Sequence, residues 1–261
     1  MRAVLTRDAE RSRDYIDGLV QHGIAATCLP VTTTAAALDQ AALLGAARVA
    51  ATYAAIGFAS HASVRPFVAA LTACGATIGS NTIVVAVGTA TQRTLAEHGI
   101  TAMNAEVANA EGLAATIVAQ LTTHHHIGRG APARVLLPRA EDGRVEAGIL
   151  LRQVGLLVDE VIAYRTLPRP LASLSEVETQ VLTALRTGAI EMLCLFAPSQ
   201  VAALVTLLGA APNLPANLAH RIIAIGETTA QAVRRSGITQ VTVAQAPTPR
   251  ALAAAAAAML A

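Results

Sequence analysis

The stretch AVGTATQRTLAEHGI, residues 86–100, is followed 138 residues later by AIGETTAQAVRRSGI, residues 224–238. Each reads as a short apolar strand, a glycine turn, a helix opened by threonine and a Gly-Ile exit. A strand that ends in glycine and runs straight into a helix is the basic joint of an α/β protein. Finding that joint twice, in matched order, points to a duplicated chain.

Other segments repeat in the same way. AVLTR (Ala3 to Arg7) resembles VLLPR (Val135 to Arg139) at an offset of 132, and Gly23 and Gly155, each closing a helix, share that offset. FASHASV (Phe58 to Val64) resembles LFAPSQV (Leu195 to Val201) at an offset of 137. A drift from 132 to 138 is what a few loop insertions leave in an old duplication. Between these matches, short apolar runs alternate with amphipathic stretches, as in IGFAS then SVRPFVAALTACG, and RVLLPR then EAGILLRQVG and VDEVIAYRT. The alternation predicts an α/β fold with mainly parallel sheets of about five strands in each half. PVTTTAAAL (Pro30 to Leu38), RTLPRPLAS (Arg165 to Ser173) and TTHHHIGRGAPA (Thr122 to Ala133) all read as connectors, and the residues alone do not choose which of them divides the chain.

Composition narrows the chemistry. The chain has 261 residues, is 54% hydrophobic but only 2% aromatic, and carries a net charge of +2. Neither the charge nor the aromatic content suits nucleic acid. All 19 basic residues are arginine, so there is no lysine for a Schiff base or a phosphate loop. Cys28, Cys74 and Cys194 read as isolated thiols of a reducing compartment. The charged residues of the first segment argue against a secretion signal. The most apolar run, Ala41 to Ala59, holds Arg48 and reads as a buried helix and strand rather than a membrane span.

The turns are the candidate binding elements. A strand leading into a helix exposes free backbone N–H groups at the positive end of the helix dipole, a natural place for an anion. Gly88 and Gly226 would allow close approach to that backbone; Thr89, Thr91, Thr228 and Thr229 would add hydroxyls, and Ser60, Ser63 and Ser199 sit similarly after other strands. Taken one at a time, these serines and threonines read first as helix N-caps. Neither glycine turn carries the three-glycine dinucleotide fingerprint. His124 to His126 lack metal-ligand spacing and read as a solvated loop. Glu141 and Asp142, beside Arg139 and Arg144, read as a solvated helix start. Tyr164, one of three tyrosines, ends the strand VDEVIAYRT. Its phenol could serve as a weak acid or simply close the strand.

Together, the Thr6-Arg7 pair, YAAIGFASHASV (Tyr53 to Val64), AVGTATQRTLAEHG, AEGLAATIVAQL (Ala110 to Leu121), VLLPRAEDGR, GLLVDEVIAYRT, EMLCLFAPSQV and AIGETTAQAVRRSG resemble the uroporphyrinogen-III synthase family over nearly the whole chain. The resemblance implies two similar α/β domains joined by a two-strand linker, with the active site in the cleft between them. One domain would span residues 1–34 plus 170–261 and the other residues 38–165, with the connectors at about 30–38 and 165–173. It implies a cofactor-independent, metal-free lyase of heme biosynthesis that closes linear hydroxymethylbilane into uroporphyrinogen III, inverting the last pyrrole ring and losing water. Tyr164 matches the tyrosine assigned to departure of the hydroxyl. Ser60, Ser63, Gly88, Thr89, Thr91, Ser199, Gly226, Thr228 and Thr229 match substrate-lining turns. Arg7, Arg139 and Arg144 are further candidates for carboxylate contacts, Arg7 with the alternative of anchoring a loop. Ala54, Ala197 and Glu227 depart from the family pattern, which often has an acidic residue, serine and proline there. The resemblance also implies a cytoplasmic monomer, with the preceding pathway enzyme as a candidate partner. The alternative is a non-catalytic tetrapyrrole- or anion-sensing module of the same fold.

Overall fold

Strands with no polar position must be covered on both faces, and that requirement organises the chain. The computed structural model describes residues 2–123, 132–209 and 214–260; the three consecutive histidines lie outside them. The chain divides into two compact units, Met1–Thr33 with Leu167–Ala261, and Thr34–Thr166. The first unit opens with β1 (Arg2–Leu5), α1 (Ala9–Gln21) and β2 (Ala25–Cys28), and β3 (Thr32–Ala36) leads into the second. There follow α2 (Gln40–Arg48), β4 (Ala55–Phe58), α3 (His61–Cys74), β5 (Ile83–Ala86), α4 (Thr89–Glu97), β6 (Met103–Asn104), α5 (Ala110–Thr123), β7 (Arg134–Ala140) and α6 (Glu146–Gln153). The long strand β8 (Leu157–Pro168) returns the chain to the first unit. That unit is completed by α7 (Glu176–Thr187), β9 (Met192–Leu195), α8 (Pro198–Leu208), β10 (Ile222–Ala224), α9 (Glu227–Arg235), β11 (Thr242–Val243) and α10 (Pro249–Ala258). The most apolar run of the sequence is α2, a single 3-10 turn and β4, and no helix among the described residues is long and apolar enough to cross a membrane.

The first unit's sheet runs β11-β10-β9-β1-β2, every pair parallel. The second runs β3-β8-β7-β4-β5-β6, parallel from β8 to β6. All four residues of β4 and of β9 are buried. In the first unit α7, α8 and α9 cover one face through Leu185, Leu204 and Val233, and α1 and α10 cover the other through Leu19 and Leu252. In the second, α2, α3 and α4 supply Leu43, Phe67 and Leu95, and α5 and α6 supply Ile117 and Leu151.

The duplication is visible in the strand order, but not as one repeat per unit. The offsets pair β1 with β7, β2 with β8, β9 with β4, β10 with β5 and β11 with β6, so 11-10-9-1-2 and 6-5-4-7-8 are one topology built twice. Each sheet takes two of these strands from one repeat and three from the other, and β3 adds a sixth at the edge of the second sheet.

Two arginines secure the crossing strands. Arg165 Nε donates to the Ala36 carbonyl at 3.0 Å within the second unit. In the first, the backbone N–H of Arg169 donates to Val31 and its guanidinium grips both oxygens of Glu178 at 2.6 and 3.0 Å. Glu178 also completes a capping box with Ser175 at the start of α7. The Arg169 hydrogen bonds, with help from the Ser175 amide and against the effect of burial, hold the Glu178 carboxyl below its ordinary range.

A carboxyl whose folded pKa is depressed contributes stability above its unfolded pKa and loses it as pH falls through the folded value. Glu178→Gln keeps the capping box but removes the charge. It is expected to cost about 1–2 kcal/mol at neutral pH, and chemical denaturation should show that difference vanishing in acid. A second pair of variants tests the close packing of α5. A Cβ on Gly112 would lie 2.1 Å from the Val107 carbonyl oxygen, whereas one on Gly45 in α2 would meet nothing within 4 Å. Gly112→Ala should therefore destabilise by about 1–3 kcal/mol and Gly45→Ala should stabilise by about 0.5–1 kcal/mol, both read from denaturation midpoints.

Candidate functional site

Because the strands are parallel, every loop that follows a strand leaves from the same edge of its sheet. Where successive connections run in opposite directions, the loops part and leave a crevice. In the second unit this switch falls between β4 and β7, since α3 and α6, which follow them, pack on opposite faces.

Tyr164 and Ser60 meet across that switch point. Opposite β7, Arg139 aligns with Ile162 but Ala140 with Tyr164, so one extra residue is inserted in β8. The bulge breaks the in-out alternation of the strand. Ala163 and Tyr164 therefore both turn into the core that holds Phe58 and Phe67. Tyr164 is only 8% exposed, and its hydroxyl donates to Ser60 Oγ at 3.3 Å. Ser60 caps α3, its Oγ accepting from the Ala62 amide at 3.2 Å. Buried Ser63 donates to the Ser60 carbonyl at 2.7 Å and tightens the same turn.

The next strand end carries Gly88, Thr89 and Thr91. Gly88 itself is the N-cap, with φ +79°, a conformation that favours glycine, and it supplies no side-chain acceptor. Thr89 is exposed in the first turn and Thr91 is buried. The N-cap reading of these threonines is thus corrected: the glycine caps, and the first-turn amides of α4 have no side-chain cap. In the first unit Gly226 plays the same part in extended backbone, with Thr228 exposed and Thr229 buried. Glu227 opens α9 and pairs with Arg234 at 2.5 Å, which offsets its negative charge at that turn. Ser199, half-buried, follows the Ala197 cap of α8, which also lacks a side-chain acceptor.

The arginines differ among themselves. Arg139 turns back on its own loop, Nη1 donating to the carbonyls of Ala140, Glu141 and Gly143 at 3.0, 3.1 and 3.4 Å. Its Nε lies 2.8 Å from Glu160, a carboxylate it shares with Arg152. Arg144 is exposed in the following turn. Glu141 and Asp142 are exposed in that turn too, not at a helix start: α6 begins only at Glu146.

The structure therefore brings Ser60, Ser63 and Tyr164 into one hydrogen-bonded group and sets Gly88, Thr89 and Thr91 on the adjoining strand end. Ser199, Gly226, Thr228 and Thr229 sit on neighbouring strand ends of the first unit. Sequence reasoning missed Gln200, which is 9% exposed. Its Oε1 accepts from the Phe196 amide at 2.8 Å and lies 2.7 Å from the Thr6 hydroxyl. The available signal was its register with Ser63 at the offset of 137, one polar residue standing for another. Tyr53, by contrast, lies before β4, at the opposite edge. Its hydroxyl donates to Asp159 at 2.7 Å, and burial together with that carboxylate raises its pKa, a structural arrangement away from the strand-end loops. Cys194 is fully buried, which pushes its thiol up to about 12 and leaves it unreactive.

Comparison with known proteins agrees with this fold. The family model described as uroporphyrinogen-III synthase HemD matches residues 13–254. No curated protein matches the chain at comparable significance. Among solved structures, a variant uroporphyrinogen III synthase from the extremely thermophilic bacterium Thermus thermophilus is 19% identical, covers 100% of this chain and 98% of its own, and superposes with a TM-score of 0.58. Uroporphyrinogen-III synthetase from Helicobacter pylori is 17% identical, with coverage of 99% and 100% and the same TM-score of 0.58. At such identities the solved structures speak for the fold; the family model, spanning almost the whole sequence, settles the lineage. The chain belongs to the uroporphyrinogen-III synthase family.

Proposed function

We propose that the chain converts linear hydroxymethylbilane to uroporphyrinogen III, with Tyr164 as the acid that assists departure of the terminal hydroxyl. The observation that carries this reading is the phenol held at the switch point of the second unit, hydrogen-bonded to the Ser60 hydroxyl that caps α3. A phenol buried on its ring side and bonded at its tip has one orientation, which is what positioned proton donation needs.

The chemistry asks little else of the side chains. Proton donation lets the hydroxyl leave as water, and the terminal carbon becomes an electrophilic methylene attached to the first ring. The last ring then attacks through its already substituted carbon, forming a spiro intermediate. Fragmentation frees the bridging methylene from that carbon, the methylene recloses on the unsubstituted α-carbon across the ring nitrogen, and loss of that carbon's proton gives the inverted ring. In free solution the chain closes directly to the type I isomer, so catalysis consists largely of holding the last ring in the less accessible geometry. Each ring carries an acetate and a propionate. The exposed hydroxyls of Thr89 and Thr228, the half-buried Ser199 and the uncapped first turns of α4, α8 and α9 offer N–H and O–H donors to such carboxylates. Ser63, Thr91 and Thr229 are buried and shape the turns; Arg139 fixes the β7 loop, and Arg144 is the exposed cation beside it. We place the enzyme in a reducing cytoplasm, which the three free thiols support. We take it to act as a monomer on substrate released by the preceding enzyme.

Freshly prepared hydroxymethylbilane should yield type III product with the protein present and type I without it; binding with no change in isomer ratio would make the chain a sensor. Tyr164→Phe should lower kcat by about 10-fold or more while KM moves by less than about 3-fold, and an unchanged kcat would remove Tyr164 from the mechanism.

A further inference from the structure

The first unit has its own switch point, between β9 and β1, where α8 and α1 leave toward opposite faces. Arg7 stands there, two residues past the end of β1. Its guanidinium carbon lies 4.8 Å from the centroid of the Phe196 ring and 5.4 Å from that of Tyr15, and the two rings meet edge to face at 5.0 Å. The guanidinium carbon is thus held over two rings that stand nearly perpendicular to each other, and a guanidinium carries more N–H donors than one tyrosine can occupy.

The platform beneath Arg7 is fixed. Phe196 donates its amide to Gln200 Oε1, and the buried Thr6 hydroxyl, 2.7 Å from that oxygen and 3.0 Å from the Cys194 carbonyl, donates to one of them at a time. The Thr6 amide also donates to Cys194 across the seam, at 3.1 Å. The nearest carboxylate in sequence, Asp8, is committed elsewhere: it caps α1 through the Arg11 amide at 2.9 Å and faces Arg11 Nε at 3.4 Å. Arg7 is thus partly desolvated, enough to lower its pKa despite the favourable influence of Tyr15 and Asp8. Withdrawing a cation from water without a matched anion is unfavourable. Its counterpart in the other repeat, Arg139, has Glu160; no ion pair with an acidic side chain is seen for Arg7 among the described residues.

We propose that Arg7, set on Tyr15 and Phe196, is a carboxylate subsite that binds one acidic side chain of the tetrapyrrole in bidentate fashion. This assignment deepens the synthase reading above and rests on it. Thr6 and Gln200 act as positioning residues that hold the Phe196 platform.

The test uses the full-length protein and its Arg7→Met, Arg7→Lys and Phe196→Leu variants. Three quantities are measured: turnover of hydroxymethylbilane, binding of the octacarboxylate uroporphyrin by fluorescence titration, and melting temperature. Arg7→Met should raise KM and weaken uroporphyrin binding by about 10-fold or more, with a smaller change in kcat. Arg7→Lys, which keeps the charge but not the fork, and Phe196→Leu, which keeps the fork but not its support, should each fall between. A lowered melting temperature with KM and uroporphyrin binding within about 2-fold of wild type would make Arg7 a loop anchor and overturn the proposal. Should Arg7→Met fail to fold, unchanged KM in both other variants overturns it equally. If the wild-type protein makes no type III product but binds uroporphyrin, and Arg7→Met loses that binding, the synthase reading falls and the subsite stands. If wild type makes type III product and Arg7→Met matches it in KM and binding, the subsite alone falls.

Discussion

Two non-local strand pairings hold this molecule together. Ala3 lies beside Met192 where β1 joins β9, and Ala55 lies beside Val135 where β4 joins β7. Without them each unit would be two incomplete sheets with bare edges, since no repeat supplies all the strands of one sheet. The same seams are the places where the connections change direction, so the groups that close the fold neighbour the strand-end loops. Thr6 shows this directly. Its amide and hydroxyl knit β1 to β9, and the next residue in the chain sets its guanidinium over Phe196.

Chemically the two seams are unlike, although they descend from one pattern. In the second unit the arginine shares Glu160 with Arg152 and turns back on its own loop, and a phenol meets a hydroxyl at the strand ends. In the first unit the hydroxyl at the cap position has become Ala197, the buried serine has become Gln200, and the arginine rests on aromatic rings instead of a carboxylate. Duplication thus supplied two like frames, and later substitution left one with a phenol on a capping hydroxyl and the other with a guanidinium over aromatic rings.

Much of the architecture was legible because it is written in local signals. Glycine turns, apolar strands of four residues and offset matches marked the strand–helix joints and the parallel sheets. The split of each repeat between units was implied by the family resemblance but not legible in the residues themselves, because it depends on which strands pair at long range. The in-out alternation of β8 also misleads at Ala163: a bulge is one residue of register, and nothing in IAYRT announces it. The site was legible in part. Ser60, Gly88 and Gly226 lie at strand ends, as the turn chemistry implies, but residue type alone cannot separate the buried Ser63, Thr91 and Thr229 from the exposed Thr89 and Thr228. Nor could it show that Arg139 already has an acidic partner, Glu160, or that the rings of Tyr15 and Phe196, far apart in the chain, would converge on Arg7.

The interleaving of the repeats bears on where the protein came from. A half-length ancestor, carrying a single copy of the pattern, would have held the two-strand part of one sheet and the three-strand part of the other. It could bury its strands only by trading them with a second copy of itself. Two such chains would have formed an intertwined homodimer with two equivalent crevices, and gene fusion would then have joined them into one polypeptide. That history also accounts for the divergence: once the copies were covalently linked, symmetry no longer tied the two crevices to the same side chains.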